Sequence, residues 1–354
     1  MFRPYLMSIN CVIVRSFLTQ AALTMETVLN PSRPCSLLII IVNYRTARLT
    51  IDCLRSLEHE VRSQPGTQVV VVDNASGDQS VDAIQAAITQ HHWQDWVTLL
   101  PSSRNGGYAY GNNLAIRPTL RADNPPSYYL LLNPDTQVRP GALKALVDFM
   151  EQHPTVGIAG SSFENQEGQL WANAFRFPSV WSELDGGLRL GLVSKLLSKW
   201  VVTQPMTEQA QAVDWLPGAS MMIRRQVFET IGLMDEGYFL YYEETDFCLQ
   251  AKRAGWPCWY VPQSRVMHIA GQSTGVRSED RAPKRLPQYV FDSRRRYFVK
   301  NHGWLYAALA DLAWSIGYSL WSMRRVIQRK PNTDPPYLFL DSLRNSVFLK
   351  FGSY

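Results

Sequence analysis

Residues 37–42 form an unbroken apolar run rich in Ile, the pattern of a strand buried on both faces. Leu49, Cys53, Leu54, Leu57 and Val61 follow at helical spacing, and the strand-then-helix unit then repeats. Residues 69–72 read as a strand and 81–88 as a helix. Residues 97–100 and 129–132 read as a third and fourth strand, the last followed by a helix over about 141–152. Strands alternating with helices at this spacing predict an α/β fold: a doubly wound, mostly parallel sheet with helices on both faces. In such sheets ligands sit at the carboxyl ends of the strands, where Asn43, Asp73 and Asp135 all fall.

After 157–161 the pattern loosens to about Gln211, through a stretch rich in aromatics and glycine. Order resumes with a strand at 219–223, a helix at 243–254 closed by Gly255, and two short strands at 259–261 and 266–269. A last apolar segment, 304–323, is long enough to cross a bilayer by length alone. Asp311, Ser315, Ser319 and Ser322 nevertheless draw one polar stripe along it. The stripe favours a helix lying in a membrane interface or packed on the domain over a spanning one.

The chain has 354 residues, room for one large domain with an appendage or for two modest ones, and its 46% apolar content is ordinary for a globular protein. The net charge is +5, and the excess gathers late, at Arg294, Arg295, Arg296 and Lys300 and again at Arg324, Arg325, Arg329 and Lys330. These clusters flank an apolar stretch and do not interleave with stacking aromatics, which favours an anionic membrane surface over nucleic acid. A solvated helix face accounts for them equally well. Five cysteines (Cys11, Cys35, Cys53, Cys248, Cys258) show no metal or disulfide spacing and fit a reducing cytoplasm. Residues 1–34 read as a leader without a secretory signature, in which Met25 is an alternative start.

Asn133, Pro134, Asp135 and Thr136 end a strand by pushing a carboxylate into a loop, a common way to hold Mg²⁺ or Mn²⁺ against a diphosphate. In isolation the same residues fit a turn or a helix start. Asp73 and Asn74 end another strand, where a carboxylate can accept hydrogen bonds from a base or ribose or can cap the next helix. Arg104, Asn105, Gly106, Gly107 and Tyr108, followed by Gly111, Asn112 and Asn113, form a glycine-rich loop opening a helix that can approach a phosphate. Glu243, Glu244 and Asp246 crowd one helix start. Adjacent carboxylates raise one another's pKa, so either glutamate is able to act as a general base. His268 ends a late strand before a glycine-containing loop and is a suitable second ligand for a metal at Asp135.

Taken together, these segments resemble the family 2 inverting glycosyltransferases of the GT-A fold, in particular the bacterial rhamnosyltransferase-like branch. The resemblance rests on Ile41 to Tyr44, Val72 to Ser76, Asn105 to Ala109 with Gly111 to Asn113, Leu132 to Thr136, Asp214 to Ala219, Phe239 to Asp246, and His268 with Gly271 to Gly275. It divides the chain into a leader (1–34), a GT-A domain (35–301) and an amphipathic helical tail (302–354). It implies that Asn43, Asp73, Asn74, Arg104, Gly107, Asn112 and Asn133 bind the donor nucleotide and that Asp135 and His268 hold Mg²⁺ or Mn²⁺. Glu244 is the implied base, with Glu243 the alternative; the family often carries Asp at the Glu244 position. The implied donor is dTDP-L-rhamnose and the acceptor a lipid-linked or polysaccharide glycan. The implied location is the inner face of the plasma membrane, with no nucleic-acid partner. A sugar-nucleotide pyrophosphorylase would instead carry a glycine- and arginine-rich phosphate loop after the first strand, where Asn43 to Thr46 stand. A non-catalytic glycan-binding protein is disfavoured by the retained acids and His268.

Overall fold

Every residue of strand β1 (Leu37–Asn43) is buried, and its side chains alternate between two cores. Leu37, Ile39 and Ile41 enter one, while Leu38, Ile40 and Val42 enter the other. A strand apolar on both faces needs a cover on each, at about 1.5–3 kcal/mol per large side chain withdrawn from water. The computed structural model, which describes residues 29, 35–269 and 283–350, supplies both covers. Helices α1 (Ala47–Ser63), α2 (Ser80–Gln90) and α4 (Ala142–Gln152) close the first face. Helices α3 (Tyr108–Thr119), α7 (Arg225–Ile231) and α8 (Glu243–Arg253) close the second. Apart from Leu29, the expected leader lies outside the described residues, as do Cys11 and the segment Gly271 to Gly275.

The main path of the sheet runs β3 (Val97–Pro101), β2 (Thr67–Asp73), β1, β4 (Tyr128–Leu132), β9 (Ser220–Arg224), β6 (Ile158–Glu164), β10 (Cys258–His268), β5 (Thr136–Val138). β1 pairs in parallel with β2 and β4, β2 with β3, and β6 with β10. Only β9 breaks the direction between β4 and β6, while β7 (Leu170–Trp171) and β8 (Gln211–Val213) pair off the path. The chain lays β2 and β3 on one side of β1 and β4 on the other, which opens a crevice at the carboxyl ends of β1 and β4. The mostly parallel α/β sheet expected from the sequence is present.

Several elements differ from the sequence reading. The strands expected at 259–261 and 266–269 are one strand, β10, whose register against β6 shifts between Val261 and Arg265. That bulge absorbs the polar, Pro-containing interruption at 262–264. Thr136 begins no helix; it opens β5, whose antiparallel pairing sets Thr136 opposite His268. The loosely patterned stretch after 161 contains helix α5 (Val180–Leu188), started by a reciprocal cap between Ser179 and Ser182, and the short α6 (Gly191–Leu196).

Three further helices end the chain: α9 (Gln288–His302), α10 (Trp304–Ile327) and α11 (Leu338–Arg344). α10 buries a small-residue face, Ala307, Ala308, Ala310 and Gly317, against α5 and α9. Gly317 is fixed by this approach, since a Cβ there would come within 2.8 Å of the Leu184 carbonyl oxygen. On the opposite face Leu305, Leu309, Leu312, Ile316, Leu320, Met323 and Ile327 are exposed, a continuous aliphatic ridge at helical spacing. The first basic cluster meets neither of its two expected fates. Arg294 pairs with Glu183 and Asp311, Arg295 with Asp292, Arg296 with Asp235, and Lys300 with Asp235 and Asp246. Arg294, Arg296 and Lys300 therefore lock α9 to its neighbours, Arg295 reaches the Asn345 carbonyl besides its partner within α9, and these charges are not free for a lipid surface.

Candidate active site

Asn43 organises the tips of β1 and β2. Its Nδ2 donates to Asp73 Oδ1 at 2.7 Å and to Ser76 Oγ, while its Oδ1 accepts from Thr46 and from Thr50 Oγ1 at 2.9 Å. Asp73 also accepts from Ser76 Oγ and from the Ser76 backbone amide. Its carboxylate is thus held rigidly at the sheet edge. Asn74 Nδ2 donates to Asn105 Oδ1 and to the Gly107 carbonyl, docking the glycine-rich loop onto β2. Gly107 has φ 89°, and a Cβ there would lie 2.0 Å from the Phe239 carbonyl oxygen, so only glycine lets the loop start α3 at this place. Arg104 is exposed and stacks over Tyr110, whereas Asn112 is fully buried and donates to the Tyr108 carbonyl. Asn133 is half-buried at the end of β4, where its backbone amide donates to the Ala219 carbonyl.

One residue beyond Pro134, Asp135 faces His268 across the β5–β10 pairing, with Oδ1 and Nε2 3.3 Å apart. Both side chains are nearly sealed, and the His268 ring is stacked on Trp171 and met edge-on by Phe163. His268 Nδ1 has no hydrogen-bond partner. No group of three or more His, Cys, Asp or Glu side chains among the described residues is placed to hold a metal ion. One carboxylate and one imidazole nevertheless fit the way Mg²⁺ or Mn²⁺ is held when substrate phosphates and water fill the remaining positions.

The third group is the acid pair at the start of α8. Tyr241 and Tyr242 both adopt left-handed backbone, φ 68° each, a conformation costly for aromatic residues. The strained turn drives Glu243 and Glu244 inward together. Burial, then the neighbouring Glu244 charge, pushes the Glu243 carboxyl well above the usual carboxylate range. Burial also raises Glu244, opposed by its own amide, by the Gly218 amide and by a hydrogen bond from Glu243. Both carboxyls are therefore held above their ordinary range, Glu243 the more strongly, so that Glu243 is the first of the two to hold a proton. Tyr108 stands between the last two groups, and its hydroxyl donates to the Gly218 carbonyl at 2.7 Å. Its phenol is pushed up by burial and then by the charges of Glu244, Glu243 and Asp135. Asp246, the third acid of the sequence cluster, turns away to Lys300 and Asn301 and anchors α8 to α9.

Beside Glu244 lies a cavity of about 670 Å³, walled by α5, α9, α10 and α11. Asp311 and Ser315, two members of the polar stripe read along the last helix, line it. The sequence reading did not single out Tyr108, Trp171, Gly218 or the Arg294–Asp311 pair as site residues. Gly218 and Tyr108 stood inside quoted motifs, whereas nothing in local pattern joins Arg294 to Asp311.

Three comparisons with known proteins bear on this arrangement. The family described as "Glycosyltransferase like family 2" matches residues 34–285. The N-acetylglucosaminyl-diphospho-decaprenol L-rhamnosyltransferase of Mycobacterium tuberculosis is 29% identical over 263 residues, which cover 71% of this chain and 80% of the relative. The dTDP-rhamnosyl transferase RfbF of Shigella flexneri is 26% identical over 266 residues, covering 74% of this chain and 81% of that protein. A mannosyltransferase of Pyrobaculum calidifontis, solved with GDP-Man and Mn²⁺, superposes with a TM-score of 0.51 at 14% identity. The superposition covers 96% of this chain and 91% of that one, a likeness of fold alone.

Proposed function

The chain belongs to glycosyltransferase-like family 2 and is a rhamnosyltransferase-like glycosyltransferase; on that footing we propose that it transfers L-rhamnose, with inversion, from dTDP-L-rhamnose to a lipid-linked glycan. What supports this reading is that Asn43 and Asp73 end the paired strands β1 and β2, that Asp135 follows β4 on the other side of β1 and meets His268, and that Tyr108 lies in the field of Asp135 and of the Glu243–Glu244 pair. Asn43 and Asp73 hold the nucleotide at the tips of β1 and β2, and the loop docked on Asn74 closes over its phosphates. Asp135 and His268 would hold a divalent ion, which when bound offsets the charge that develops on the departing diphosphate.

Glu244 accepts the proton of the acceptor hydroxyl. That oxygen forms its bond to the anomeric carbon on the face opposite the diphosphate, as the bond from carbon to diphosphate oxygen breaks. The neutral Glu243 keeps its neighbour ionised and fixed. The donor and the acceptor class are supported by the relatives whose names print a dTDP-rhamnosyl group and a diphospho-decaprenol carrier. Incubating the purified chain with Mg²⁺ or Mn²⁺, an undecaprenyl-diphosphate-linked sugar and a panel of nucleotide sugars tests the proposal. Rhamnosylated lipid formed from dTDP-L-rhamnose alone, and lost with chelator, is the expected product. Transfer from another nucleotide sugar only would retire the donor assignment.

We also place the enzyme at the inner face of the plasma membrane. No helix among the described residues is long and apolar enough to cross a membrane. The exposed ridge of α10 is shaped instead to lie in an interface, with Arg329 and Lys330 exposed beyond its end. Leu312→Glu, Ile316→Glu and Leu320→Glu together are expected to move the full-length chain from the membrane pellet to the supernatant. A triple variant that still sediments with membranes would remove the ridge from this role. Deleting the whole tail is a poorer test, because Ala307, Ala308 and Ala310 pack with Tyr297 and Phe298.

A further inference from the structure

Resting on the transferase reading, we propose that the cavity beside Glu244 receives the acceptor's terminal sugar as a neutral hydroxyl-bearing ring, and that α10 and α11 of the tail complete this pocket. Its volume of about 670 Å³ suits a small ligand, since such sites run to roughly 300–1,000 Å³. Glu244 stands on its wall, so a hydroxyl presented from this space meets the base directly. Trp215, stacked on Phe175, and Trp314, stacked on Tyr318, give the wall apolar surface for the C–H side of a pyranose, while Ser315 and Glu183 give it polar partners.

Charge decides which part of the acceptor enters. Among the described residues Arg294 is the one cation lining the cavity, and it is held between two carboxylates. It lies 2.8 Å from Glu183 and 2.5 Å from Asp311, and Asp311 is pinned in turn by the Val347 amide. One guanidinium against two carboxylates, with Glu244 nearby, leaves the pocket negative. A lipid diphosphate is repelled there, whereas a neutral sugar finds acceptors for its hydroxyls. The tail thereby becomes part of the active site: Asp311 and Ser315 of α10 turn to the acceptor while the aliphatic ridge of the helix faces outward.

The test uses the full chain, with methyl pyranosides and inorganic pyrophosphate as probes, followed by saturation-transfer NMR, and dTDP binding measured in parallel by calorimetry. Ser315→Trp fills the cavity and Trp314→Ala removes one of its faces. Wild-type protein is expected to bind at least one methyl pyranoside, both variants to bind it about tenfold or more weakly, and dTDP binding to stay the same in all three. Pyranoside binding unchanged in Ser315→Trp would overturn the assignment, even if Trp314→Ala proved unstable. So would pyrophosphate binding that falls in the variants, which marks a phosphate pocket, or dTDP binding without any pyranoside binding to the wild type. Failure of dTDP itself to bind is a different result: it removes the transferase reading, and this pocket's assignment with it.

Discussion

Glu244→Gln is expected to lower turnover by about 10²–10⁴-fold, the usual contribution of a positioned general base and equivalent to roughly 3–5 kcal/mol of barrier. The substitution keeps the shape of the side chain and removes only its ability to take a proton. Donor affinity, set at the tips of β1 and β2, should therefore remain that of the wild type. Glu243→Gln is the informative companion. Glu243 is raised first by burial and then by the charge beside it, and it donates to Glu244; an amide can make the same donation without a second ionisable group. The base works when deprotonated, so the rate climbs as pH rises through a pKa held above the ordinary carboxylate value. Because the amide keeps that donation, the acid limb of the pH–rate profile should stay where it lies in the wild type, with most of the turnover retained. A pair of results the other way round, with Glu243→Gln inactive and Glu244→Gln active, would exchange the two roles. Normal turnover in Glu244→Gln would remove it as the base.

Much of the arrangement at the tips of β1, β2 and β4 was legible because its signals are local. The Ile-rich run of β1 can only be a strand covered on both faces, and the acids at the ends of β2 and β4 follow from where those runs stop. The surroundings of Glu243 and Glu244 depend on distant contacts. Tyr241 and Tyr242 carry no residue-type signal for a left-handed turn, so the inward drive of Glu243 and Glu244 is visible only in the backbone. The arginines of α9 look solvated in sequence, because their carboxylate partners at Asp235 and Glu183 are more than fifty residues away. The stripe at Asp311 and Ser315 was seen, but a stripe does not say whether it faces water or a cavity; the packing of α10 on α5 decides that. Asp135 and His268 were paired from the sequence, but β5, the three-residue strand that brings them together, is too short for its periodicity to register.

Asp135→Ala is expected to abolish the metal-dependent part of donor binding, a fall of about 10²–10³-fold, as for several kcal/mol of lost charge stabilisation. In the proposed site Asp135 would supply the one carboxylate, and an imidazole ligand alone does not offset the ion's charge. The substitution should spare the fold. The local strand pairing is carried by main chain, with Thr136 opposite His268 and the Ile269 amide on the Asp135 carbonyl, and truncation of the carboxylate leaves both. His268→Ala is a less clean probe, because the ring fills the space between Trp171 and Phe163 and its loss unpacks them. Calorimetric titration with dTDP-L-rhamnose, with and without Mn²⁺, separates the contributions. Wild type should show a large gain on adding the ion, while Asp135→Ala should keep only the weaker binding given by Asn43, Asp73 and the loop docked on Asn74. The same gain from Mn²⁺ in wild type and variant would place the ion elsewhere and leave the Asp135–His268 contact as a structural link between β5 and β10.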